Sequence, residues 1–171
     1  TPSSGLTALV DYATSNGTAT AGSDYTAASG TLTFTAGQTS KTFTVGVLAD
    51  STDEVNETVT LTLSSPTNAT ISDSTGTLTI TDDDDAPTLS INDVTAANEN
   101  AANSTFTVSL SAASAKEITV AYATSNGTAT TAGSDYTAAS GTLTISAGQT
   151  SGTFTVGVLA DSTDEVNETV T

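Results

Sequence analysis

Carboxylates are the side chains with chemistry to offer in quantity here, and they are gathered rather than spread. Of the 19 acidic residues, nine fall in three groups of the first half: Asp24; Asp50, Asp53, Glu54 and Glu57; and the run Asp82, Asp83, Asp84, Asp85. Six more, Glu99, Asp135, Asp161, Asp164, Glu165 and Glu168, recur in the second half. Only two cations, Lys41 and Lys116, oppose them, leaving a formal net charge of −17. Converging carboxylates raise one another's pKa unless a cation neutralises them. With so few Lys, a bound metal is the natural counter-charge. Oxygen-only ligands select a hard ion, and several flexible carboxylates favour Ca²⁺ over Mg²⁺. Taken alone, the 82–85 run is more often a solvated linker than a ligand set. Segment 50–57 taken alone is evenly open, since it lacks the central Gly and flanking helices of an EF-hand. Three groups at corresponding strand ends favour Ca²⁺.

Composition excludes much else. There is no Cys and no His, which removes disulfides, thiolate or imidazole metal sites, and His-assisted nucleophilic catalysis. The negative charge opposes nucleic acid and anionic membranes, and no apolar run reaches the roughly 20 residues of a transmembrane helix. A two-carboxylate glycosidase would want aromatic sugar platforms, and the chain has no Trp, four Phe and four Tyr. The expectation is a non-enzyme. High charge also raises the prospect of disorder, but Thr is a β-former and the apolar residues alternate with it in period two.

The elements that would carry the carboxylates are short strands. Thr31-Leu32-Thr33-Phe34-Thr35, Thr42-Phe43-Thr44-Val45-Gly46-Val47, Val59-Thr60-Leu61-Thr62-Leu63 and Thr77-Leu78-Thr79-Ile80-Thr81 each place one apolar face against a Thr face. Leu89-Ser90-Ile91, Thr105-Phe106-Thr107-Val108-Ser109-Leu110 and Ile118-Thr119-Val120-Ala121-Tyr122 do the same later. Turn signals separate them at Asn16-Gly17, Ala36-Gly37-Gln38, Ser65-Pro66 and Ser74-Thr75-Gly76. One-faced strands need a second sheet to cover them, so the reading is all-β: an antiparallel, immunoglobulin-like β-sandwich.

Residues 12–60 recur at 122–171 with one inserted Thr and three substitutions (Phe34/Ile145, Thr35/Ser146, Lys41/Gly152). The offset, 122 − 12 = 110, suits one small β domain. Tandem modules are expected, with 1–85 the C-terminal part of one and 86–171 the N-terminal part of the next, both truncated. Pro87 marks the junction.

At these loops the chain resembles a Calx-beta domain, a module of sodium/calcium exchangers and of large bacterial surface proteins. The matching residues are Gly17-Thr18-Ala19, Gly22-Ser23-Asp24-Tyr25, Gly30-Thr31-Leu32-Thr33-Phe34, Gly37-Gln38, segment 50–57, Thr79-Ile80-Thr81-Asp82-Asp83-Asp84 and the opening Leu89-Ser90-Ile91-Asn92-Asp93-Val94 with Glu99. The resemblance implies Ca²⁺ ligands at Asp24, Asp50, Glu54, Glu57, Asp82, Asp83 and Asp84, with the carbonyl of Thr52. In the second module it implies Glu99, Asp135, Asp161, Glu165 and Glu168, with the carbonyl of Thr163. Ala49 and Ala160 stand where the exchanger sensor resembles an Asp pair, and Asn100 follows Glu99 in place of the usual Gly, which implies fewer ions or weaker binding. The function expected is a structural repeat of a long secreted or surface-anchored bacterial protein, an adhesin stalk or fibre, with Ca²⁺ stiffening module junctions. Its partners would be adjacent identical modules and neighbouring copies in a filament. The alternative is a regulatory Ca²⁺ sensor of an ion exchanger or signalling protein. Six Asn-X-Thr triplets, starting at Asn16, Asn56, Asn68, Asn103, Asn126 and Asn167, read first as turn chemistry.

Overall fold

The structure is a computed structural model that describes residues 5–96, 103–160 and 166–171. Every regular element among them is a strand. In the first half these are β1 (Ala8–Asn16), β2 (Tyr25–Thr26), β3 (Ser29–Phe34), β4 (Gly46–Val47), β5 (Glu57–Thr67) and β6 (Thr75–Ile80). The second half holds β7 (Leu89–Ile91), β8 (Ser104–Leu110), β9 (Ile118–Ala123), β10 (Tyr136–Thr137), β11 (Ser140–Ile145) and β12 (Ser151–Val158). All strand pairs are antiparallel. The chain forms two compact units, residues 1–51 with 55–83, and 84–171 with the short segment 52–54.

In the first unit a sheet of order β3-β1-β5-β6 is faced by the β2-β4 pair. Its core is Ala19, Tyr25 and Val59, packed against Val45, Leu78 and Ile80. Val59 is fully buried, a side chain whose removal from water contributes about 1.5–3 kcal/mol. In the second unit the sheet β10-β12-β8-β7 lies over the β11-β9 pair. There Val108, Leu110 and Ile145 pack with Ile118, Val120, Leu143 and Phe154. This is the expected immunoglobulin-like β-sandwich: apolar inner faces from two sheets, Thr outside. An aromatic stack recurs at the same repeat position, Tyr12 on Phe43 and Tyr122 on Phe154, each with ring centroids 4.1 Å apart.

Three sequence expectations need correction. Residues 42–47 were expected as one alternating strand, yet only Gly46–Val47 pair as β4. The twin segment forms the eight-residue β12, which pairs with β8 from Ser151↔Ser109 to Val156↔Ser104. No described strand of the first unit stands where β8 stands in the second, so the same alternation there finds no ladder. Ser65-Pro66 was expected as a turn, but β5 runs through it. The register jumps from Asp11↔Ser64 to Leu9↔Thr67, a bulge, and Ser65 takes φ 50°. A bulge is where a strand tolerates Pro, which has no N–H to pair. Lastly, Thr75 and Gly76 lie within β6 rather than in a turn, opposite Thr62 and Leu61.

Gly17 is required by close approach. A Cβ there would sit 2.5 Å from the Thr58 carbonyl oxygen, and at its twin Gly127 it would sit 2.3 Å from that of Thr169. Gly17→Ala is therefore expected to destabilise by about 1–3 kcal/mol. Gly5→Ala, which meets nothing within 4 Å, should stay within about 0.5 kcal/mol of the parent. Urea denaturation of both variants checks the difference.

Candidate metal centre

The site begins at the loop that leaves β1. Asn16 accepts from the Ala21 amide at 3.0 Å and from the Tyr25 hydroxyl at 2.9 Å, so one side-chain oxygen ties the loop to the buried ring. Thr18 and Thr58 staple this loop to β5: the Thr58 amide donates to Thr18 Oγ1 at 2.8 Å, and the Ala19 amide donates to the Thr58 carbonyl at 3.0 Å. Glu57, one residue before the staple, is thereby fixed beside the loop. Asp24 closes the loop by accepting from the Thr20 amide at 2.6 Å. Its own carbonyl accepts from Leu48 at 2.9 Å, which brings the start of the 50–57 loop alongside. The third acidic group is tied in by the Asp82 amide, which donates to Asn56 Oδ1 at 3.0 Å.

The result is a cluster. Carboxylate oxygens of Asp24, Glu54 and Glu57 all lie within 4.8 Å of one another, and the three residues are half-buried. The Asp24 carboxyl is held below its ordinary value of 3.8, first by the Thr20 amide, with smaller help from the Ser23 hydroxyl and Glu57, while burial works the other way. An acceptor-only set of oxygens at this spacing fits a hard divalent cation such as Ca²⁺, and it offers no nitrogen or sulfur to a softer one. Such an ion would supply the positive charge that lets three adjacent carboxylates ionise together.

The other expected ligands are placed less closely. Asp50 is exposed and Thr52 half-buried in the same 50–57 loop, Asp82 and Asp84 are half-buried, and Asp83 is exposed. None of these acidic residues joins the three-carboxylate cluster. In the second unit Asp135 repeats the role of Asp24, accepting from the Thr130 amide at 2.7 Å. The Asn126–Tyr136 and Thr128–Thr169 contacts repeat as well, at 2.7 Å and 2.8 Å. The inserted Thr is absorbed in this loop, where positive φ moves from Gly22 to Ser134. Glu168, the twin of Glu57, is exposed. Glu99, Asp161, Thr163 and Glu165 lie outside the described residues.

Sequence reading missed one partnership. Asp53, only 6% exposed, receives Lys116 Nζ at 2.6 Å and Ser114 Oγ at 2.6 Å. The Ala115 amide also donates to the Asp53 carbonyl at 3.0 Å. Lys116 holds the Asp53 carboxyl below its ordinary value, with Ser114 adding and burial opposing. This acid of the 50–57 loop is thus neutralised by protein. A signal was present in the scarcity of Lys, but a partner 63 residues away leaves no local pattern.

Two β-sandwich units with acidic loops at their strand ends define a repeated, oxygen-rich binding module. The Calx-beta domain profile matches residues 2–84 and again 82–171, and the chain belongs to the Calx-beta family. Among solved structures it is similar to calcium binding domain CBD12 of CALX1.1, at 27% identity and TM-score 0.46, over 88% of this chain and 62% of that one. For CBD12 from CALX1.2 the identity is 27% and the TM-score 0.46, over 93% of this chain and 65% of that one. The apo-form Calx CBD1 domain is 32% identical at TM-score 0.44, over 46% of this chain and 72% of that one. The chain thus spans less than two thirds of either CBD12 structure. No curated protein matches it.

The Asp53 pairing sets a pH dependence. Its folded pKa lies below the unfolded value, so its stabilisation is fully present above the ordinary carboxylate range and is lost as pH falls through the folded pKa. Asp53→Asn is expected to melt lower than the parent at pH 7. The gap should close in acid, below the ordinary value of 3.8, as thermal melts across pH will show.

Proposed function

We propose that this chain is a calcium-binding structural repeat of a long extracellular bacterial surface protein, an adhesin stalk or fibre, and is not an enzyme. The observation that carries the calcium reading is the Asp24–Glu54–Glu57 cluster, three half-buried carboxylates with oxygens within 4.8 Å, in a chain of the Calx-beta family. The array reading is supported by the near-identity of 12–60 and 122–171, which repeats the acidic loops together with their scaffold. In sequence, the acidic 82–85 run leads from one repeat to the next. Ion binding there stiffens successive modules in an extended protein whose partners are copies of itself.

Cation binding that requires folded loops stabilises the fold by mass action, about 2.7 kcal/mol at a free concentration one hundred times Kd. An extracellular module works with Kd of order 10⁻⁴–10⁻³ M. The expected outcome is a melting midpoint that rises in millimolar Ca²⁺ relative to chelator. Asp24→Asn combined with Glu57→Gln should abolish most of that rise. No rise in the parent removes the calcium reading. Saturation at micromolar Ca²⁺ instead assigns the chain to the regulatory sensors.

A further inference from the structure

Two Asn residues, Asn16 and Asn126, precede a Gly, and they sit in the identical segments 14–20 and 124–130, Thr-Ser-Asn-Gly-Thr-Ala-Thr. An Asn-Gly step is open to spontaneous ring closure, because a residue without Cβ leaves its nitrogen free to attack the preceding side-chain carbonyl. The fold nevertheless needs both residues. Gly17 and Gly127 each pass a backbone carbonyl too closely for any Cβ. Asn16 Oδ1 accepts from the Ala21 amide at 3.0 Å and the Tyr25 hydroxyl at 2.9 Å. Asn126 Oδ1 accepts from the Thr131 amide at 3.3 Å and the Tyr136 hydroxyl at 2.7 Å. Both Tyr residues are buried, so each Asn oxygen is anchored to the core although the Asn itself is exposed to water. An Asp would accept the same bonds but add charge to the loop that carries Asp24 or Asp135.

Held this way, the Asn side chain cannot close on its neighbour. Closure needs the Gly nitrogen to swing toward the Asn side chain. Asn16 ends β1 and pairs with Val59, and Asn126 forms the matching antiparallel bridge with Val170. Extended backbone, with ψ of about +135°, turns the following nitrogen well away from the side chain. The two donors fix the amide oxygen on the other side. Beyond the Gly, the loop is stapled by Thr18 to Thr58 in one unit and by Thr128 to Thr169 in the other. Closure therefore requires local opening of the loop, an event distinct from global unfolding.

We propose that Asn16 and Asn126 are sites of self-modification gated by the fold: inert while the Tyr hydroxyl holds the Asn oxygen, and converted when the loop opens. In the opened loop the Gly nitrogen bonds to the Asn side-chain carbonyl carbon. Its proton departs with the side-chain nitrogen as ammonia, and a succinimide remains. Water then adds across one of the two ring C–N bonds, leaving an aspartyl or an isoaspartyl residue. Water is the only co-reactant, and nothing is oxidised or reduced. The aspartyl product still offers an oxygen to the Tyr hydroxyl, so the lock re-forms with one more negative charge in the loop. The isoaspartyl product adds a methylene to the main chain, which breaks the register with Val59 and the Thr staple beyond it. The inference does not rest on calcium.

The test incubates the full chain in chelator at mildly alkaline pH and follows conversion at each Asn by peptide mapping and mass spectrometry. A synthetic peptide of residues 12–21 gives the unprotected rate. Both sites of the folded chain should convert at least about tenfold more slowly than the peptide. Tyr25→Phe keeps the ring and removes the hydroxyl, and should speed Asn16 about fivefold while leaving Asn126 of the same molecule unchanged. Tyr136→Phe should do the reverse. Because the two segments are identical in sequence, a change in the ratio of their rates reports the lock alone. Conversion of the folded chain at the peptide rate, or Tyr→Phe variants that leave that ratio at its parent value, overturns the proposal.

Discussion

The pairing of Thr18 with Thr58 is the constraint on which the acidic site depends. Apart from the buried Ala19, a loop rich in Gly, Thr and Ala has little apolar surface to fix it, so hydrogen bonds to the entry of β5 supply much of its positioning. The side-chain oxygens and amides of these two Thr residues exchange contacts, and the Ala19 amide adds a backbone bond. The fit needs Gly17, because no Cβ can pass the Thr58 carbonyl. Tertiary placement then becomes local: Glu57 precedes Thr58 directly, and Asp24 ends the stapled loop. The Thr128–Thr169 pair repeats the arrangement at Gly127. What recurs in the sequence is therefore a positioning device as well as a set of acids.

Much of the fold was legible because alternation of Thr with Leu, Val, Ile and Phe states both the strand and its buried face. Most of β3, β6, β8 and β9 follow that alternation. Strand length was less legible, since a strand is a property of a pair. Residues 42–47 and 153–158 are identical in sequence, yet only the second pairs along its full length, with β8 and then β10. Ser65-Pro66 shows the converse. Its local chemistry says turn, and the eleven-residue β5, paired with β1, absorbs it as a bulge.

The site was legible to the extent that its parts are sequence neighbours of strand ends. Asp24 and Glu57 follow from the repeat pattern and the ends of their elements. Which acids would touch was not legible, because residue type and spacing do not distinguish Asp50, Asp53 and Glu54 within one loop. Three-dimensional placement separates them: Glu54 joins Asp24 and Glu57, whereas Asp53 turns to Ser114 and Lys116.

That separation bears on how a chain of net charge −17 stays folded. Each close-set carboxylate must find a donor, a cation or a proton. Asp53 uses one of the two Lys residues and a hydroxyl, and its ionised form is favoured by them. Asp24 and Asp135 use the amides of Thr20 and Thr130, which carry only partial charge. An amide can hold one carboxylate ionised, but it cannot offset the mutual repulsion of three within 4.8 Å. With Lys116 already engaged by Asp53, the protein has little charge of its own left for that cluster. Of the described acidic residues, Asp24, Glu54 and Glu57 bring their oxygens within 4.8 Å of one another, and that is where an external cation has the most to contribute.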